Sequence, residues 1–280
     1  MIIWLASYPK SGNTWLRSII SSLIYTENGI FDIKLLDKIG QFPLRKYFIN
    51  YTNKFNDINE ISKYWIPAQN KINLDNQIKF LKTHNLLCTI NNNSFTDKHN
   101  TLATIYVVRD PRNLVSSISN HFKESIEGST KFLSEQKIIG IDTKNTVGPD
   151  HAIATLIGTW KDHYNLWTKK NSNLLIIKYE DLINNIEYEI DRIVSFLKKY
   201  LTFEYNEEKK NNIIKTTKFE NLSKLEDEGQ FKENVFNHKN KKIKFFNKGP
   251  RNNWENTLSK EQRHEIEKIF KVEMKELNYL

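Results

Sequence analysis

The chain opens on consecutive apolar residues, Ile2-Ile3-Trp4-Leu5-Ala6. It turns polar at Ser7, passes through Tyr8-Pro9-Lys10-Ser11-Gly12, and resumes apolar residues at helical spacing from Trp15 to Tyr25. A short run that is apolar at every position predicts a strand covered on both faces, and spacing of three and four predicts a helix. The same unit recurs. Gln77 to Thr83 reads as a short strand, and Thr101 to Val108 is the clearest buried strand, followed by Asp110 as a helix cap and Pro111 at the first helical position. Asn173 to Tyr179 is another buried strand, and Asp181 to Tyr200 carries apolar residues at helical spacing. Residues 31 to 76 alternate short apolar clusters with Asn, Asp and Lys, as short helices do. Helices are expected from His151 to Lys169 and beyond Glu207, irregular chain from Asn237 to Asn253, and a closing amphipathic helix from Ser259 to Leu277. From 123 to 149 the periodicity fails, and Gly128, Gly140, Gly148 and Pro149 punctuate a polar stretch that reads as a surface lid. Alternating strands and helices predict an α/β fold with a central parallel sheet and helices on both faces. No repeat or composition break divides the chain, so a single domain over 1–280 is expected.

Composition changes this picture little. With 280 residues, 39% hydrophobic and 12% aromatic, the chain has material for a core. The net charge of +9 suits anionic partners. Lys and Asn are abundant throughout, however, and the lysines at 239, 241, 242 and 244 read as a solvated face, so no nucleic-acid partner is expected. Cys88 is the single cysteine, which excludes an intrachain disulfide and favours a reducing compartment. No basic stretch precedes the first apolar run, and no window approaches the roughly 20 apolar residues of a membrane span. The expectation is a cytoplasmic protein with no membrane partner.

Candidate chemistry begins at the first strand-to-helix turn. A buried strand ending at Ser7 delivers Ser11, Gly12, Asn13 and Thr14 to a helix N-terminus, where backbone N–H groups and the helix dipole favour a phosphate. Lys10 adds a full positive charge. The turn is not a Walker A loop, because Asn13 stands where that loop has its lysine.

At this point the sequence resembles the sulfotransferases that use 3′-phosphoadenosine 5′-phosphosulfate (PAPS). Their first signature reads YPKSGTTW, and here it is Tyr8-Pro9-Lys10-Ser11-Gly12-Asn13-Thr14-Trp15. A second signature, an Arg at a strand end with a Ser eight residues on, is matched by Tyr106-Val107-Val108-Arg109 through Ser117. Arg109 there can fork onto a phosphate, and Ser117 adds a hydroxyl. Between them, Lys82-Thr83-His84 resembles the family's K-T-H element, whose His is the general base. Tyr179-Glu180-Asp181 resembles the Y-E-D element, whose Tyr contacts adenosine. Thr217-Lys218-Phe219 resembles T-S-F, whose Thr and Phe help hold adenine, and Trp15 would supply an opposing aromatic face.

The last signature, RKGxxGDWKN, is degraded. Lys248, Gly249, Trp254 and Asn256 match, but Asn247 stands where the family has an Arg that binds the 3′-phosphate, and Asn252 stands at its second Gly. Arg251 is a candidate replacement for the lost guanidinium, and Gly249 would let backbone approach a phosphate. The dimer motif KxxxTVxxxE is absent, with Ser259 and Lys260 in place of Thr-Val.

The resemblance implies a P-loop-like α/β fold and transfer of a sulfuryl group from PAPS to a hydroxyl or amine of a small-molecule acceptor. The product is adenosine 3′,5′-bisphosphate (PAP), and no metal is implied. Lys10 would neutralise the leaving phosphate oxygen, His84 would take the acceptor proton, Lys82 would stabilise the transferring group, and Ser117 would hold Lys10 until an acceptor arrives. Acceptor contacts are expected from Phe31 to Asn76 and from the lid, with Phe42, Tyr47, Tyr64 and Trp65 as candidates that core packing explains equally well. Two other readings fit parts of the pattern, namely a phosphotransferase using ATP and magnesium and a non-catalytic polyanion-binding protein.

Overall fold

All six residues of Ile2–Ser7 are buried, as a strand apolar at successive positions requires when both its faces are covered. The computed structural model describes residues 1–141, 148–169, 173–231, 233, 235–236 and 242–280. Ile2–Ser7 pairs in parallel with Lys79–Thr83, from Ile2 against Lys79 to Ala6 against Thr83. Gly40–Gln41 pairs in parallel with the other edge of Lys79–Thr83, Gln41 against Lys82. Among the described residues the main sheet is five-stranded, in the order Gly40–Gln41, Lys79–Thr83, Ile2–Ser7, Thr101–Val108, Leu174–Lys178. Strands adjacent in space but distant in sequence require helical crossovers, the pattern of a parallel α/β sheet. The α/β class read from the sequence holds, with a central parallel sheet and helices around it.

The chain forms two compact units. One comprises Met1–Tyr8, Gly40–Tyr106 and Ser134–Ile176 and carries the sheet. Its core centres on Trp4, whose ring lies 5.4 Å from Phe95, 5.8 Å from Phe42 and 6.5 Å from Trp167 on the helix Trp160–Lys169. The indole N–H of Trp4 is not left stranded; it donates to Thr101 Oγ1 at 2.9 Å.

The other unit comprises Pro9–Ile39, Val107–Leu133 and Ile177–Leu280. The helix Asn13–Tyr25 buries an almost continuous surface from Asn13 to Leu23. The helix Pro111–Phe122 starts as predicted, with Asp110 accepting from the Arg112 N–H at 2.9 Å and Pro111 in the first turn. Arg112 also ties this helix to the C-terminal segment, donating to Asp110, to Glu267 at 2.7 Å and to the Tyr279 carbonyl at 2.7 Å.

Some elements differ from the pattern read in the sequence. The segment from His151 becomes helical only at Trp160. Thr155–Leu156 pairs antiparallel with Ile138–Ile139, and Gly158 at φ +66 separates the two conformations. The closing helix is two, Lys260–Ile269 and Lys271–Glu276, broken at buried Phe270. Within 123 to 149 lies the helix Ile126–Ser134, with Thr130, Phe132 and Leu133 buried, and residues 142–147 fall outside the described residues. Part of the irregular stretch at 237–253 also falls outside them, while Val235–Phe236 and Lys242–Ile243 pair as short strands.

Candidate functional site

The second unit holds the turn that follows the first strand. Lys10 sits at φ +69 and Gly12 at φ +100. A bulky residue in the left-handed region costs about 1–2 kcal/mol, so the tertiary structure must hold Lys10 there. Part of that hold is visible: Arg109 Nη1 donates to the Lys10 carbonyl at 3.3 Å. Gly12 is required for a different reason. A Cβ at this position would lie 2.4 Å from Tyr179 Cδ2, so the tyrosine ring fills the space that any side chain would need. No described side chain caps the N-terminus of Asn13–Tyr25, leaving its first turn available to an anion.

Arg109 organises this cluster. It is 6% exposed, because the strand Thr101–Val108 ends immediately before it and its side chain turns inward over the Tyr179 ring, 4.1 Å from the centroid. Its Nη1 also donates to Ser117 Oγ at 3.3 Å, in the second turn of Pro111–Phe122. Neighbouring Glu180 accepts from the Asp110 N–H at 3.1 Å and from Tyr279 Oη at 2.8 Å. Burial pushes the Glu180 carboxyl above the usual carboxylate range, and Arg109 draws it back down. Burial likewise raises the Tyr179 phenol.

Some buried polar atoms of this cluster have no hydrogen-bond partner among the described residues: Ser11 Oγ, Trp15 Nε1 and Arg109 Nε. Leaving a buried donor unsatisfied costs about 1–3 kcal/mol. Orphans gathered around an uncapped helix N-terminus fit a phosphorylated ligand. Trp15 meets Tyr179 edge to face at 5.7 Å. Lys10 Nζ lies 3.6 Å over the ring of Phe245, a residue that sequence reasoning did not single out.

The C-terminal signature lies in the same unit. Gly249, at φ +53, faces the ring of Phe219; an added Cβ would lie 2.3 Å from its Cε2. Its lack of a side chain therefore makes room for the aromatic ring, and no phosphate is needed to explain it. Phe219 lies 6.2 Å from Phe246, and Thr217 is buried with its hydroxyl donating to the Ile213 carbonyl at 2.8 Å. Lys248 and Arg251 are exposed, whereas Asn252 is buried and bonded to the helix Pro111–Phe122.

The first unit holds the candidate base. Because Ala6 pairs with Thr83 in parallel register, the next residues, Ser7 and His84, emerge side by side at the strand ends. His84 Nδ1 is 2.7 Å from the Ser7 carbonyl oxygen and 3.3 Å from Ser7 Oγ. A carbonyl can only accept, so Nδ1 donates to it, and in the neutral imidazole the lone pair then falls on Nε2. Lys82 lies two residues earlier, is 8% exposed, and its carbonyl accepts from the Phe42 N–H at 2.9 Å.

Behind His84 is a second histidine that sequence reasoning missed. His163 is fully buried, its Nε2 donates to the His84 carbonyl at 3.2 Å and its Nδ1 accepts from Tyr106 Oη at 2.8 Å. Burial pushes its pKa down to about 3, so it is neutral. A lone His among apolar helical residues gives no signal that separates this role from ordinary packing.

The family model described as the sulfotransferase domain matches residues 2–278. The chain belongs to the sulfotransferase family. An amine sulfotransferase of Oryctolagus cuniculus is 25% identical over 98% of this chain and 81% of its own length. Sulfotransferase 1B1 of Canis lupus familiaris is 26% identical over 97% of this chain and 83% of its own. Among solved structures, a mouse sulfotransferase complexed with PAP shares the fold at TM-score 0.58 and 18% identity, covering 98% of this chain and 84% of that one. Retinol dehydratase in a complex with retinol and PAP matches at TM-score 0.60 and 18% identity, over 98% and 81%. The second unit carries Lys10, buried Arg109 and the uncapped helix N-terminus, and the first unit carries His84 with its Nδ1 bonded to the Ser7 carbonyl. No described helix is long and apolar enough to cross a membrane.

Proposed function

We propose that this sulfotransferase uses both units as one catalytic domain to move a sulfuryl group from PAPS to a hydroxyl or amine of a small-molecule acceptor, releasing PAP. The observation that carries the reading is Arg109, whose buried guanidinium joins the Lys10 carbonyl to Ser117 Oγ while its Nε is left without a partner among the described residues. A guanidinium so held is aimed at an anion before one arrives, and fixed charge of that kind costs no reorganisation on binding.

The donor supplies the sulfuryl group on a phosphate leaving group. Lys10, Ser11, Gly12, Asn13 and Thr14 are the residues that would hold the 5′ end, with Lys10 neutralising the oxygen released. Arg109 and Ser117 would hold the 3′-phosphate, helped by Lys248 and Arg251. Trp15, Tyr179, Thr217 and Phe219 would enclose the adenosine. His84 Nε2 takes the proton of the acceptor as its oxygen or nitrogen bonds to sulfur, and Lys82 stabilises charge on the group in transit. Relatives with printed names such as amine sulfotransferase support a small-molecule acceptor, and others named cytosolic sulfotransferases support a cytoplasmic enzyme. The dimer motif of cytosolic relatives is missing, so assembly by that motif is not part of the proposal.

The test is incubation with labelled PAPS and a panel of alcohols, phenols, amines and sugars. Label on an acceptor together with stoichiometric PAP supports the reading. No transfer to any member, with ATP and magnesium phosphorylating one instead, overturns it.

A further inference from the structure

Asn252 occupies the position where the family signature has its second glycine. Its backbone, at φ −75, has no need of glycine, and its side chain is 7% exposed. Nδ2 donates to the Asn113 carbonyl at 2.7 Å and approaches Ser117 Oγ at 3.4 Å, while Oδ1 accepts from Ser116 Oγ at 2.6 Å. Every polar atom of the amide is therefore engaged with one stretch of the helix Pro111–Phe122. The same residue closes the preceding turn, its N–H donating to the Gly249 carbonyl at 3.1 Å, next to the bond from Arg251 N–H to the Lys248 carbonyl at 3.1 Å. A second strut runs alongside, as the Trp254 N–H donates to Asn113 Oδ1 at 2.9 Å.

We infer that Asn252 is a positioning residue for recognition of the 3′-phosphate, an inference that rests on the donor reading above. Ser117 Oγ is the shared atom. It receives Arg109 Nη1 on one side and Asn252 Nδ2 on the other, so the amide couples the Lys248–Arg251 turn to the buried guanidinium. In a chain that has lost the leading arginine at Asn247, cations on an unanchored turn would lose much of their effect to side-chain and backbone entropy. Bolting that turn to the helix fixes where the Lys248 and Arg251 backbones begin.

The test compares PAP with adenosine 5′-monophosphate, which lacks only the 3′-phosphate, by calorimetry on the full chain. Asn252→Ala is expected to weaken PAP about tenfold, as loss of one or two buried hydrogen bonds would, and to leave the monophosphate within about twofold. Ser116→Ala is expected to act in the same direction. The double variant should be no worse than Asn252→Ala, because the two side chains form one device. Equal losses for both nucleotides, no loss for PAP, or full additivity of the two substitutions would each overturn the inference. If Asn252→Ala does not fold, Ser116→Ala alone decides by the same nucleotide comparison. A wild-type protein that binds neither nucleotide removes the donor reading itself, whereas one that binds both equally removes the 3′-phosphate role.

Discussion

His84 Nδ1 lies 2.7 Å from the carbonyl oxygen of Ser7, and that contact, set by strand register, fixes which imidazole nitrogen can act as a base. His84→Ala should therefore lower kcat by about 10²- to 10⁴-fold, the usual worth of a positioned general base. PAP affinity measured by calorimetry should stay within about twofold of wild type. A loss expressed mainly in donor affinity would place His84 elsewhere in the reaction.

Gly12 has no room for a side chain. Gly12→Ala would put a methyl group 2.4 Å from Tyr179 Cδ2 at a backbone φ of +100, so the turn or the ring must move. The expected result is a loss of PAP affinity of tenfold or more, about 1.4 kcal/mol, together with a lowered thermal midpoint. Equilibrium titration and thermal unfolding on one preparation measure both.

Much of this was legible in the sequence, and the reasons differ by element. The strand Ile2–Ser7, the turn at Lys10 to Thr14 and the Asp110-Pro111 helix start carry local signals: a continuous apolar run, a left-handed glycine and a capping pair. Arg109 was singled out by its match to the family's second signature, at the end of a buried strand. Asn252 and His163 were not found, because each is defined by partners 57 to 139 positions away, which no local pattern encodes. The break at Phe270 was missed for the related reason that helical periodicity runs through it, and only its burial shows where the chain turns. That Gly249 also leaves room for the ring of Phe219 has no local signal either.

Buried His163 makes acid stability a further test. Its pKa is about 3 in the folded chain and about 6.5 when unfolded. Between these values the unfolded chain binds more protons, so stability is fully present above about pH 6.5 and falls as pH drops, by up to about 1.4 kcal/mol per pH unit. Urea unfolding midpoints from pH 7 to pH 5 should fall with this slope added. His163→Gln should flatten the profile over that range while lowering stability at pH 7.

Arg112 and Asp110 form a buried pair at 2.7 Å, each side chain 6% exposed. Arg112→Ala would leave the Asp110 carboxylate without its counterion and remove the bond to the Tyr279 carbonyl. A loss of about 3–5 kcal/mol in unfolding free energy is expected, read from the urea midpoint at constant m. An effect below about 1 kcal/mol would mean that the pair is no stronger than a surface ion pair.

Everything in the donor reading meets at Arg109, joined to Lys10 on one side and Ser117 on the other. Calorimetric titration of PAP into the wild-type chain and into Arg109→Ala examines it without need of an acceptor. Saturable binding by the wild type, weakened at least about tenfold in the variant, is the expected result. Absence of PAP binding by the wild type, or equal affinity in both proteins, would contradict it.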